Sequence, residues 1–254
     1  MLLAIDIGNT NITLGIFDGE IHGQPLRFAS KPVRTADEYG LVMLNSFRHA
    51  GVVSEKIHTI AIGSVVPELT PMLAEACVNY LHLQPFVADV TMETGLRYLY
   101  DNPQQLGIDR IVTSAAAYKL YGGPLCVIDF GTATTFDAVS ADGCHLGGAI
   151  APGIGIAGEA IFQSMGNFSR VDFERPASVI GHNRRQSMNS GLLYGYTELV
   201  RGMVARFRAE LGPDTKVIAT GGLVETIAGE TTGIDILAPG LMLDGLRIIY
   251  HMNN

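Results

Sequence analysis

The chain has 254 residues, 47% of them hydrophobic and 17% charged, and a formal net charge of −8. That length suits one large or two modest domains, each burying its own core, and the composition is that of an ordinary α/β protein. The acidic balance argues against nucleic acid or an anionic membrane as main partner, the densest basic pair being Arg184-Arg185, and any phosphate chemistry would need magnesium and local cations.

Met1-Leu2-Leu3-Ala4 has no basic region, so no signal peptide is expected and the protein is placed in the cytoplasm. An apolar run ends in Asp6, followed by Gly8-Asn9-Thr10, and re-enters an apolar run from Ile12 to Phe17. This pattern predicts a β-hairpin with an aspartate beside a tight turn. The turn's N–H and hydroxyl groups would take phosphate, and Asp6 would hold magnesium, directly or through water. Ile21 to Ala29 reads as a third strand, and Thr35 as the cap of a helix reaching Ala50. Ile57–Ser64 is expected as a buried strand. Pro67 is expected to open a helix to His82, with a short strand at Pro85–Ala88.

An irregular segment, Thr91 to Leu106, leads to Gly107-Ile108-Asp109-Arg110 and a helix from Ile111 to Tyr121. Leu125 to Asp142-Gly143 then repeats the opening plan. Asp129 corresponds to Asp6, Gly131 to Gly8 and Thr132 to Asn9 at one constant offset. The repeat predicts a duplicated α/β protein with a nucleotide cleft between the halves, divided as 1–117 and 118–254. Cys144–Ala151 is expected as a strand and Pro152-Gly153 as the start of a helix to Met165. The stretch from Leu146 to Gly158 is interrupted by Pro152 and five glycines, so it is too broken to span a bilayer, which takes about 20 residues. Phe168–Asn183 reads as loop, and Ser187 as the cap of a long helix to Leu211. Lys216–Ala219 is a buried strand, and Pro239 is expected to start the closing helix. Cys77, Cys126 and Cys144 are unevenly spaced and read as free thiols.

Three turns bear on a nucleotide: those at Asp6, at Asp129, and at Thr220-Gly221-Gly222, where a strand opens into a helix and bare backbone approaches a ligand. Asp109 is either a base for an attacking hydroxyl or a helix cap, with Arg110 paired to a neighbouring acid. Arg97, Tyr98 and Tyr100 either line an acceptor pocket or pack.

These elements, with Gly147-Gly148-Ala149-Ile150-Ala151-Pro152-Gly153 and Asp129-Phe130-Gly131-Thr132-Ala133-Thr134, closely resemble the type III pantothenate kinases across nearly the whole chain. The resemblance implies the acetate and sugar kinase/actin-like ATPase fold, two ribonuclease H-like domains around a cleft, and a homodimer. It implies ATP-dependent phosphorylation of pantothenate to 4'-phosphopantothenate, entering coenzyme A synthesis. Asp109 would be the proton acceptor and Asp129 a ligand of a monovalent cation, K+ or NH4+, beside the Mg2+ of ATP. Thr132 and the segment Asp6, Ile7, Gly8, Asn9, Thr10, Asn11, Ile12 and Thr13 would contact ATP, together with the Gly221-Gly222 turn. Tyr100, Gly107, Ile108, Asp109 and Arg110 would contact pantothenate. Where that family reads Gly-Lys-Asn-Thr, this chain has Gly181-His182-Asn183-Arg184. Arg184 either pairs with the pantothenate carboxylate or points away. The rival readings are another small-molecule kinase of the same superfamily and a non-catalytic nucleotide-binding regulator.

Overall fold

A computed structural model describes residues 1–19, 21–164 and 174–254. The chain forms two compact units, the first from residues 1–95, 101–116 and 242–254, the second from 96–100 and 117–241. The expected cut between 117 and 118 divides the chain once. The observed units are discontinuous, and the closing helix joins the first of them.

In the first unit, β1 (Leu2–Ile7) and β2 (Asn11–Asp18) make the expected hairpin, with β3 (Ile21–His22) and β4 (Leu26–Ala29) both pairing β2. A helix, α1 (Ala36–His49), starts at Thr35, whose side chain and that of Glu38 close a capping box. Strand β5 (Thr59–Ser64) lies parallel to β1, helix α2 (Leu69–Leu81) follows, and β6 (Phe86–Val87) extends the sheet. Pro67 precedes α2 rather than opening it. The sheet order is β3-β2-β1-β5-β6.

Alternation along β1 sends Leu3, Ile5 and Ile7 into a cluster with Tyr39, Met43 and Phe47 of α1 and Leu73 and Cys77 of α2. The other face carries Ala4 and Asp6. Opposite them in register stand Gly15 and Gly63, where a β-carbon would run into Leu243, and into Met242 and Leu246, respectively. These small residues let the closing helix lie close on the sheet. That helix runs from Leu241 to Asn253, two residues after the expected Pro239 start.

The second unit repeats the plan. Its strands are β7 (Arg97–Tyr98), β8 (Leu125–Phe130), β9 (Ala133–Val139), β10 (Cys144–Pro152), β11 (Lys216–Thr220) and β12 (Ile236–Leu237), in the order β12-β11-β8-β9-β10-β7. As in the first sheet, an antiparallel hairpin continues into two parallel strands on one side. The strands β1 and β8 share one burial sequence: four buried residues, a half-buried aspartate, a buried residue. The expected duplicated α/β fold of ribonuclease H-like units is therefore present.

Helix α3 (Ile108–Tyr121) precedes β8 and begins three residues before the expected Ile111. Helices α4 (Ile154–Ser164), α5 (Arg184–Leu211) and α6 (Val224–Ala228) complete the unit, and α7 is the closing helix Leu241–Asn253. Cys126, Ile128 and Phe130 face Tyr196, Val200 and Val204 of α5 in the second core. The cap of α5 is Asn183, whose side chain accepts from the Gln186 amide at 2.9 Å, and not Ser187, which lies inside the helix. Met165 and the part of the Phe168–Asn183 segment up to residue 173 lie outside the described residues.

Candidate active site

Asp6 is the next-to-last residue of β1, half-buried, level with Thr13 of β2 and Gly63 of β5. The turn after it closes by a hydrogen bond from the Gly8 amide to the Asn11 carbonyl, 3.0 Å. The buried Ser30 braces the same turn: its hydroxyl donates to the Gly8 carbonyl at 2.6 Å and its amide to the Thr10 carbonyl at 3.0 Å. Sequence reasoning missed Ser30, which no local pattern marks. Asn9, Thr10 and Asn11 are exposed. Ile7 and Ile12 are fully buried core residues, so only their backbone is available to a nucleotide.

The second turn is built alike but is one residue shorter. Three residues lie between the paired Phe130 and Thr134, against four between Ile7 and Ile12. The Gly131 amide donates to the Ala133 carbonyl at 3.1 Å. In both turns the glycine amide is therefore engaged within the turn itself.

Asp129 is half-buried and level with Thr135 and Thr220. Gly221, with φ +98°, is pressed onto it: a β-carbon there would overlap Asp129 Oδ1 and the Phe130 backbone. Gly153 does the same for the turn, donating its amide to the Thr132 carbonyl at 3.2 Å, with no room for a β-carbon beside the Thr132 and Gly131 carbonyls. These contacts require glycine at both positions. Gly222 is different. It is exposed, and a β-carbon there would meet nothing within 4 Å, so the fold itself does not demand glycine.

Asp109 lies in the first turn of α3, where acidic charge complements the helix dipole. Its Oδ1 accepts from the Arg110 amide at 2.8 Å, and its carbonyl from the Thr113 hydroxyl at 2.8 Å. A β-carbon on Gly107 would overlap Asp109 Oδ1, so this glycine makes room for the carboxylate. Asp109 is half-buried and Arg110 buried. In the second unit, Tyr100 is half-buried with its ring edge-on to His145 at 6.4 Å, and Arg184 is exposed as the first residue of α5.

The structure thus gathers Asp129, Thr132 and Gly221 into one cluster in the second unit. The Asp6 turn and the Gly107–Arg110 element belong to the first unit, Tyr100, Arg184 and Gly222 to the second. Among the described residues no group of three or more His, Cys, Asp or Glu side chains could hold a metal.

The duplicated unit, with an aspartate next to the end of its first strand and a glycine turn beyond it, is that of the actin-like ATPase and sugar-kinase class of folds. A family model for type III pantothenate kinase matches residues 2–206. The chain is 48% identical over 253 residues to a type III pantothenate kinase from Roseiflexus sp. (strain RS-1), covering 100% of this chain and 99% of that one. It is 47% identical over 253 residues to one from Moorella thermoacetica, covering 100% of both. The chain belongs to the type III pantothenate kinase family. Among solved structures, a conserved Campylobacter jejuni protein assigned to the Baf family of transcriptional activators shares the fold. The TM-score is 0.55 at 22% identity, with 99% of this chain and 97% of that one covered.

Proposed function

We propose that this chain transfers the γ-phosphoryl group of ATP to the hydroxyl of pantothenate, forming 4'-phosphopantothenate for coenzyme A synthesis. Family membership supports the reaction, and one observation of this chain carries it: Asp109, the only acid in the Gly107–Arg110 element, is held half-buried at a helix start with its carboxylate oriented by the Arg110 amide. A carboxylate so placed can accept the proton of an attacking hydroxyl, and positioning with charge stabilisation supplies the rest of the catalysis.

In this reading ATP takes the Asp6–Thr13 turn, Thr132, Gly221 and Gly222. Pantothenate takes Tyr100, Gly107, Ile108, Asp109, Arg110 and Arg184. The donor set fits hard cations, since Asp6 and Asp129 are carboxylates flanked in register by hydroxyl-bearing Thr13, Thr135 and Thr220. Magnesium commonly uses one or two carboxylates plus the substrate's phosphates. Asp6 would hold it, Asp129 would hold a monovalent cation, and both supply positive charge beside the phosphates. The protein acts as a cytoplasmic homodimer in this reading. Among the described residues no helix is long and apolar enough to cross a membrane.

The deciding experiment is ADP formation by purified protein with magnesium and ATP, with and without pantothenate and potassium. Turnover that needs both is expected. Equal turnover with sugars or acetate would point to another kinase of the class, and nucleotide binding without turnover on any acceptor to a regulator.

A further inference from the structure

We propose that a buried Asp137–His145 pair, which no catalytic role above uses, is a positioning device for the acceptor pocket. It fixes the Tyr98–Tyr100 segment and thereby sets affinity for the acceptor. The proposal rests on reading Tyr100 as an acceptor contact.

Asp137 on β9 and His145 on β10 are 1% and 0% exposed, and the His145 Nε2 lies 2.9 Å from Asp137 Oδ1. The Gly147 amide donates to His145 Nδ1 at 3.3 Å. An Nδ1 that accepts carries no proton, so the ring is the Nε2–H tautomer, donating to the carboxylate. The strand is shaped for this. Its pairing with β9 shifts between His145 and Gly147, and Gly147 sits at φ +116°, which turns its amide towards the ring. Held through both nitrogens, the imidazole has one orientation.

The residues that this ring supports belong to the segment around β7. Strand β7 has two residues and lies parallel to β10, with Tyr98 level with His145. Its backbone ties include the Arg97 amide to the Gly143 carbonyl and the Leu99 amide to the His145 carbonyl, 2.9 Å each. Arg97 adds an exposed ion pair with Asp142, of a kind that contributes little. The Tyr98 and Tyr100 rings then lie 5.9 and 6.4 Å from the imidazole, the second at 64° to it. Such aromatic contacts have preferred geometry, so a locked ring transmits its orientation to both tyrosines. Stability alone does not account for the pair, because replacing both partners of a buried hydrogen bond by apolar groups of the same shape can be nearly neutral.

The test uses His145→Gln, which keeps a donor for Asp137 but loses the ring, and the double variant Asp137→Leu/His145→Phe, which replaces the pair by apolar bulk. Thermal melting, pantothenate affinity by calorimetry with a non-hydrolysable ATP analogue, and the separate KM values for pantothenate and ATP are measured on the intact protein. Both variants should weaken pantothenate on the order of tenfold, as a displaced positioning group does, while kcat and the KM for ATP stay within about twofold. Asp137→Asn, which keeps an acceptor for Nε2–H, should restore near-normal pantothenate affinity. If the double variant fails to fold, His145→Gln decides. Unchanged pantothenate affinity in a folded variant, or a parallel rise in both KM values, overturns the proposal alone. A wild-type protein with no affinity for pantothenate overturns the acceptor reading and the proposal with it.

Discussion

Gly221 lies so close against Asp129 that a β-carbon on it would overlap the Oδ1 atom, and its φ of +98° is one that other residues adopt only under strain. Gly221→Ala should therefore cost about 1–3 kcal/mol, the usual size of a strained backbone residue. In a chain this long, each kcal/mol lowers Tm by roughly 2–4 °C. Gly222→Ala meets nothing within 4 Å and should leave Tm unchanged. A raised KM for ATP in Gly222→Ala, with Tm intact, would mark that glycine as a nucleotide contact. Melting curves of the two variants side by side check the contrast.

Asp109→Asn keeps an oxygen to accept from the Arg110 amide, so the start of α3 should survive. The side chain can no longer take a proton. Turnover should fall by about 10²–10⁴-fold, the range for loss of a general base, with ATP affinity unchanged. Steady-state kinetics together with calorimetric ATP titration reads both quantities. Activity near wild type would remove Asp109 from the base role.

Arg184 is a cation in the first turn of the 28-residue helix α5, where the exposed amides already carry positive partial charge. The helix dipole there favours an acid over a cation. Arg184→Glu should leave Tm unchanged or raise it slightly, by about 0.3–1 kcal/mol of dipole energy. The same change should raise the KM for pantothenate at least tenfold through repulsion of its carboxylate, a penalty of about 1.4 kcal/mol or more. A Tm loss with normal KM would count against the contact.

Burial pushes the Cys77 and Cys126 thiols up to about 12, and Asp137 adds to the rise at Cys126. Thiolate is the reactive form, so neither should react at pH 8 while the protein is folded. Only the half-buried Cys144 should be titrated by a thiol reagent in the native state, and all three in denaturant. Two or more fast thiols in native protein would contradict this burial.

Much of the fold was legible because its signals are local. Alternating apolar residues around Asp6 and Asp129 specify hairpins wherever they fall, and Thr35 with Glu38 marks a helix start within four residues. Capping was misread where two small polar residues compete: Asn183, four residues upstream of Ser187, reaches the free Gln186 amide first. The bracing of the Asp6 turn by Ser30 was not legible, since a serine before Lys31-Pro32 carries no signal of what its hydroxyl will meet.

The sequence by itself determined the duplicated strand–turn–strand units, the two aspartates at their ends, the acidic element at Gly107–Arg110 and the family to which they belong. Only the tertiary structure decided that Gly221 and Gly153 are pressed onto the second turn and that residues 242–254 return to the first unit. It alone also decided that His145 is locked between Asp137 and Gly147. Periodicity and turn chemistry act over a few residues, so they can be read along the chain. Close packing joins β8 to β11, and the first sheet to the closing helix, across long separations, and is set only when the sheets have closed around their cores.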